Sequence, residues 1–233
     1  MNWDSIIEAD KQLLLSLNGS NSLFADGMAM VLTTAQTWIP LYLAIIYIVI
    51  KNNENIRQIM LVISCTLLCV LLAGGLDDIV VKPLVARWRP THDPQIGMLV
   101  DVVNQYRGGN YGYFSAHAAN TFSIALFISL VVRNKSFTLS LVAWSLTNCW
   151  TRVYLGVHYP GDILCGLLWG TVVAIIVYFL LYRKIYVRLT SGMRFISSQY
   201  TSSGYLVSDV NVVLCTIMFT VLYACIRTCI ILE

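Results

Sequence analysis

The sequence predicts an all-α integral membrane protein: six transmembrane helices, preceded by an N-terminal amphipathic helix at the interface. Three observations carry that prediction. Of 233 residues, 58% are hydrophobic and only 12% are charged, about half the charged share of a soluble domain. The mean hydropathy is +0.71. Apolar runs long enough to cross a bilayer recur along the chain. The length fits one membrane domain, residues 1–233.

Trp3, Ile6, Ile7, Leu13, Leu14 and Leu17 recur at helical spacing, with Asp4, Glu8, Lys11 and Gln12 on the other side. Residues 2–18 are therefore expected to form an amphipathic helix in the interface plane, stopped by Asn18-Gly19. Spans are expected near Met28–Ile50, Ile56–Val80, Ser115–Val132, Phe137–Tyr154, Gly161–Tyr182 and Ser208–Leu232. Thr91 to Tyr113 and Arg183 to Val207 read as polar connections, and no internal repeat is visible. The acidic start, MNWDSIIEADK, lacks the basic region of a cleavable signal peptide.

Six spans put both termini on one face. The opposite face carries Lys51, Arg57, Arg133, Lys135, Arg183, Lys184, Arg188 and Arg194 in short loops, so it is expected to be cytoplasmic. A net charge of +3 is too small to suggest nucleic acid. The seven cysteines are odd in number, lie in apolar segments and lack metal-ligand spacing. They read as packing residues, with no disulfide framework and no metal site.

Three polar clusters interrupt the apolar pattern. The first is KPLVARWRP, Lys82 to Pro90. Pro83 discourages helix beyond Lys82, and Pro90 makes Arg89 extended, so Arg87 and Arg89 point one way and Trp88 the other. Lys82 and Arg89 offer a point charge and a planar fork to an oxyanion; basic residues snorkelling to the interface would look the same. Asp78 is four residues before Lys82 and can pair with it, beside Asp77. Arg87 and Arg107 are candidates for a second phosphate or a polar headgroup. His92 and Asp93 fit either substrate contact or ordinary loop polarity.

The second cluster is YFSAHAAN, Tyr113 to Asn120. Ser115 is an N-cap candidate, and His117 falls in the first turn, where free N–H groups and the dipole favour anions. The third is RVYLGVHYPGD, Arg152 to Asp162. Pro160 fits a first helical position and Asp162 the first turn. From there Asp162 can reach the ring of His158, leaving the other nitrogen basic and aimed. Alternating helix directions bring all three clusters to one face. Two histidines, three cations, a serine and an aspartate there suit covalent phosphoryl chemistry better than a metal.

Lys82-x6-Arg89-Pro90, Ser115-x-His117 and Arg152-x5-His158-x3-Asp162 resemble the three signature motifs of the type 2 phosphatidic acid phosphatase (PAP2) superfamily, over roughly residues 20–182. The resemblance implies a PAP2-type helical bundle as catalytic core; the additional C-terminal span, residues 208–232, is read from its apolar run and departs from that family architecture. It implies that His158 is a nucleophile forming a phosphohistidine, that Asp162 orients it and that His117 protonates the leaving group. It implies that Lys82, Arg89, Ser115 and Arg152 bind the phosphoryl oxygens, and that no metal or other cofactor is needed. Two departures stand out. Phe114-Ser115-Ala116-His117 replaces the usual Pro-Ser-Gly-His, and Thr151 replaces a common serine. Ala116 adds a methyl that restricts the backbone beside His117.

The expected function is hydrolysis of a lipid phosphate or diphosphate at the extracytoplasmic face of a bacterial inner membrane. Both termini share that face, and the bilayer supplies the lipid substrate. Bacterial relatives act on undecaprenyl diphosphate, phosphatidylglycerophosphate or the phosphates of lipid A. The wide polar loop and extra basic residues favour undecaprenyl diphosphate or lipid A. A lipid phosphotransferase using the same phosphohistidine is the second reading. The vanadium haloperoxidases of the same superfamily are soluble, and a transporter would tend to show repeats and midplane breaks. Nothing in the sequence sets an oligomeric state.

Overall fold

The structure, a computed structural model, describes residues 3–189 and 197–232. Arg194 lies outside them. The described residues are helical, apart from loops and the isolated bridges Trp88–Tyr111 and Tyr200–Leu206. The principal helices are α1 (Trp3–Leu17), α2 (Leu23–Thr33), α3 (Ile39–Lys51), α4 (Ile56–Val85), α5 (Ala116–Val132), α6 (Lys135–Tyr154), α7 (Pro160–Leu189) and α8 (Val207–Leu232).

Among the described residues, α4, α7 and α8 are long and apolar enough to cross a membrane. The expected first span is broken instead into α2 and α3, bent by 70°. Thr34 is extended at the break (φ −79°, ψ 123°), and Pro40 opens α3. The Trp38 indole donates to the Leu32 carbonyl and the Thr37 hydroxyl to the Val31 carbonyl, so the carbonyls left free at the break find partners. Counted as one span, this pair makes four. α5 is apolar but has 17 residues. α6 carries Ser145, Asn148, Thr151 and Arg152, all buried in the protein, which lowers its hydropathy.

Two helices run further than the sequence suggests. α4 continues through Pro83 to Val85 and ends where Ala86 turns left-handed (φ 48°). Wide π-type turns precede the proline, where the Lys82 amide bonds back to the Asp77 carbonyl. The ladder has already shifted there, so the N–H that proline lacks costs less than in a regular helix. α7 passes Tyr182 and reaches Leu189, with Tyr178, Tyr182 and Tyr186 stacked in series at 5.5 and 5.2 Å.

The core is centred on Trp38, Phe127, Phe137 and Trp144. Beside it, α5 and α7 approach closely through Gly166 and Gly170, a GxxxG spacing. A Cβ on Gly166 would lie 2.7 Å from the Ser115 carbonyl oxygen, and one on Gly170 2.6 Å from that of Ala119. This close approach sets the first turns of α5 and α7 side by side.

The α1 helix turns a polar stripe inward. Lys11 and Leu14 are buried, whereas Trp3, Ile6, Ile7, Leu13 and Leu17 are exposed. Leu14 packs with Ile96, Val100 and Tyr159. Lys11 pairs with Asp93 at 3.3 Å and donates to Gln95 at 2.5 Å. Acceptors from the loop after α4 draw this part of the polar side of α1 into the protein.

Candidate active site

The three clusters meet at one end of the bundle. After α6 the chain reverses over five residues. Gly156 takes φ +66°, and the Arg152 carbonyl accepts from the amides of Val157 and His158. Pro160 opens α7. Asp162 then caps it, its Oδ2 accepting the Tyr159 amide at 3.0 Å. His158 is 1% exposed and Asp162 fully buried.

The fork of Arg89 fixes the state of His158. Its Nη1 donates to the Val157 carbonyl at 3.1 Å and lies 3.2 Å from His158 Nε2. Nε donates to the Tyr111 carbonyl at 3.1 Å. A guanidinium can only donate, so Nε2 presents its lone pair and the ring proton sits on Nδ1. Nδ1 faces Asp162 Oδ2 across 3.7 Å, beyond hydrogen-bond length, with the Gly112 backbone beside it. The direct His158–Asp162 bond expected from the sequence is thus open, because Asp162 is engaged by the Tyr159 amide and by Arg87. Burial, then Arg89 and Arg152, hold the imidazole well below its ordinary 6.5, so it is neutral. Burial and Arg152 also lower the Arg89 guanidinium.

Trp88 pairs with Tyr111 through the bridge, and the Arg89 and Gly112 amides bond across to Asn110 and Arg87. This short ribbon turns Arg87 and Arg89 toward the centre and leaves Trp88 outside against the Tyr111 ring. Gly108, at φ +69°, passes so close that a Cβ would lie 3.1 Å from Arg89 Nη1. Arg87 donates to Asp162 at 2.7 Å and to Asp10 at 2.8 Å. Burial acts to lower it, but Asp162 and Asp10 outweigh burial and leave its proton held more tightly. Both donor arms are taken, which leaves Arg87 poorly placed as a second phosphate ligand. Arg107 donates to the Thr91 carbonyl at the loop's edge.

Lys82 pairs with Asp77 at 3.1 Å and with Asp78. Asp77 is fully buried and also accepts the Phe114 amide, which ties α4 to the start of α5. Ser115 caps α5, accepting from the Ala118 amide, while its own amide donates to the Asp162 carbonyl at 3.1 Å. Ala116 shows no positive φ, so the helical first turn accepts its methyl. His117 is exposed and within electrostatic range of Arg152, His158, Lys82 and Arg89. The Arg152 guanidinium is buried, donating to Thr33 at 2.5 Å and Tyr106 at 3.0 Å. Among the described residues no group of three metal-binding side chains forms.

The sequence reading missed Asp10, Thr33 and Tyr106. Thr33 and Tyr106 carry no local signal. Asp10 precedes Lys11 and shares the Leu14 face at i, i+4, a polar stripe on the buried side of an otherwise apolar helix.

The PAP2 superfamily matches residues 34–186, which include every motif described above. The chain belongs to the PAP2 superfamily. Among curated PAP2 relatives, a lipid A 4'-phosphatase of Bacteroides thetaiotaomicron is 37% identical over 79% of this chain and 81% of its own. A lipid A 4'-phosphatase of Porphyromonas gingivalis is 34% identical over 74% of this chain and 73% of its own. A decaprenylphosphoryl-5-phosphoribose phosphatase of Mycobacterium tuberculosis is 36% identical over 42% of this chain and 50% of its own. No solved structure matches significantly. PAP2 membership and the lipid A 4'-phosphatase relatives together support a phosphatase, and the long apolar helices mark an integral membrane protein.

Proposed function

We propose that this PAP2 phosphatase hydrolyses a phosphomonoester of lipid A, at the extracytoplasmic face, through a phosphohistidine on His158. The observation that carries the mechanism is His158 Nε2 lying 3.2 Å from the Arg89 fork, with Asp162 behind Nδ1. The names of the Bacteroides and Porphyromonas relatives support the substrate.

Arg89 Nη1 faces the Nε2 lone pair. An entering phosphate draws the guanidinium onto its oxygens, joined by Lys82, Arg152 and the first turn of α5 at Ser115. Nε2 then attacks phosphorus as the bond to the lipid oxygen breaks. His117 gives its proton to that oxygen. The positive ring of the phosphohistidine faces the Asp162 carboxylate. Water next attacks phosphorus, His117 takes its proton, and the His158 nitrogen leaves with its electron pair. The cations neutralise the charge that spreads over the equatorial oxygens in both steps. All groups come from the chain, and no metal takes part.

A second reading keeps the mechanism and changes the lipid to a polyprenyl phosphate or diphosphate. The name of the mycobacterial relative supports it. Phosphate release in detergent with EDTA, from lipid A, undecaprenyl diphosphate and phosphatidylglycerophosphate, separates the readings. The proposal expects lipid A to be fastest and EDTA to have no effect. A faster prenyl diphosphate would favour the second reading. Transfer of phosphate to an acceptor without free phosphate would contradict hydrolysis.

A further inference from the structure

The α1 helix lies before the residues that the family matches, 34–186, yet it reaches the centre. We propose that Asp10 on α1 is a positioning residue for the hydrolytic centre, acting on Asp162 through Arg87 and through the first turn of α7. This rests on the reading of His158 and Asp162 as catalytic.

Asp10 holds two things at once. Its Oδ2 accepts Arg87 Nη2 at 2.8 Å, and its Oδ1 accepts the Gly161 amide at 2.8 Å. That amide is one of the free N–H groups at the start of α7, one residue before Asp162. Arg87 spans the gap, its Nη1 on Asp162 Oδ1 at 2.7 Å and its Cζ 4.1 Å over the Tyr159 ring. Neighbouring contacts brace α1: Lys11 pairs with Asp93, which also accepts the Tyr159 hydroxyl at 2.8 Å.

The division of the fork matters. An arginine facing a single carboxylate tends to close on it with two N–H groups. Here Asp10 occupies one arm, so Asp162 receives one bond from Arg87 and keeps Oδ2 for the Tyr159 amide and the His158 side. Asp10 also offsets the Arg87 charge, so the negative charge of Asp162 is not cancelled where the phosphohistidine ring becomes positive. Asp10 touches neither phosphate nor ring. Its loss is expected to lower the chemical step and leave phosphate binding in place.

Asp10→Asn keeps an oxygen for the Gly161 amide and removes the charge. It is expected to lower kcat about tenfold or more per folded molecule, as misplacement of a reacting group does, with KM within about a factor of two. Asp10→Glu, which keeps the charge, is expected to recover part of kcat. Inorganic phosphate release with each protein's best lipid substrate is the assay, beside thermal unfolding in the same detergent and His158→Ala as control. An inactive His158→Ala with an Asp10→Asn enzyme equal to the parent in kcat overturns the inference and leaves the catalytic reading standing. So does a loss fully explained by unfolded protein. An active His158→Ala overturns the catalytic reading itself. If Asp10→Asn does not fold, Asp10→Glu decides: unchanged kcat overturns the inference, and a reduced kcat at unchanged KM supports it.

Discussion

His158 is held between a cation at one ring nitrogen and an anion behind the other, almost wholly buried. Desolvation disfavours its charged form, and Arg89 and Arg152 add to that. The neutral ring is the attacking form, and protonation would quench it. A value held well below the ordinary 6.5 keeps the ring neutral as pH falls through 6.5, so the nucleophile persists in mild acid. The kcat/KM profile is therefore expected to show no loss from His158 protonation centred near pH 6.5. NMR of a ring-labelled His158 would check this, and a titration near 6.5 would contradict it. Arg89 shows why the motif needs arginine: one planar group bonds the Val157 and Tyr111 carbonyls while facing His158, and a lysine point charge has no fork to do so.

At the scale of the helices, α5 and α6 decide whether the chain crosses the membrane four or six times. With six crossings, the turn between them lies on the same side as the turn between α3 and α4, opposite the loop after α4. In a cysteine-free background, single cysteines at Asn110, Glu54 and Ser136 test this with an impermeant thiol reagent on intact cells. Labelling at Asn110 alone is expected. Labelling at Ser136 as well would mean that α5 and α6 do not cross as a pair. Much of this level was legible in the sequence. The cap at Ser115, the start of α7 at Pro160 and the fourfold spacing of Asp78 and Lys82 follow from local rules, and the structure shows each. The bend between α2 and α3 was not legible, because Trp38 and Thr37 each repair it with a bond to a carbonyl six residues back. The run of α4 through Pro83 was hidden too, since a π-type turn leaves no mark in composition. The polar side of α1 was legible as a pattern, but its inward direction depends on Asp93 and Arg87, far along the chain.

For the whole molecule, the bundle brings charges from distant parts of the chain to one end and leaves apolar side chains outside. α1 adds Asp10, the loop after α4 adds Arg87 and Arg89, and α5 to α7 add both histidines and Asp162. Burying such charges in a membrane protein is costly without a task for them. Their task in this account is a covalent phosphoryl transfer to His158, and the most direct test is to trap it. Phosphate-labelled lipid A would be mixed with the purified protein, quenched in alkali and mapped by mass spectrometry. The account predicts an acid-labile, alkali-stable phosphate on His158, absent in His158→Ala. Phosphate release in the parent with no covalent intermediate under rapid quench, or label on another residue, would contradict it.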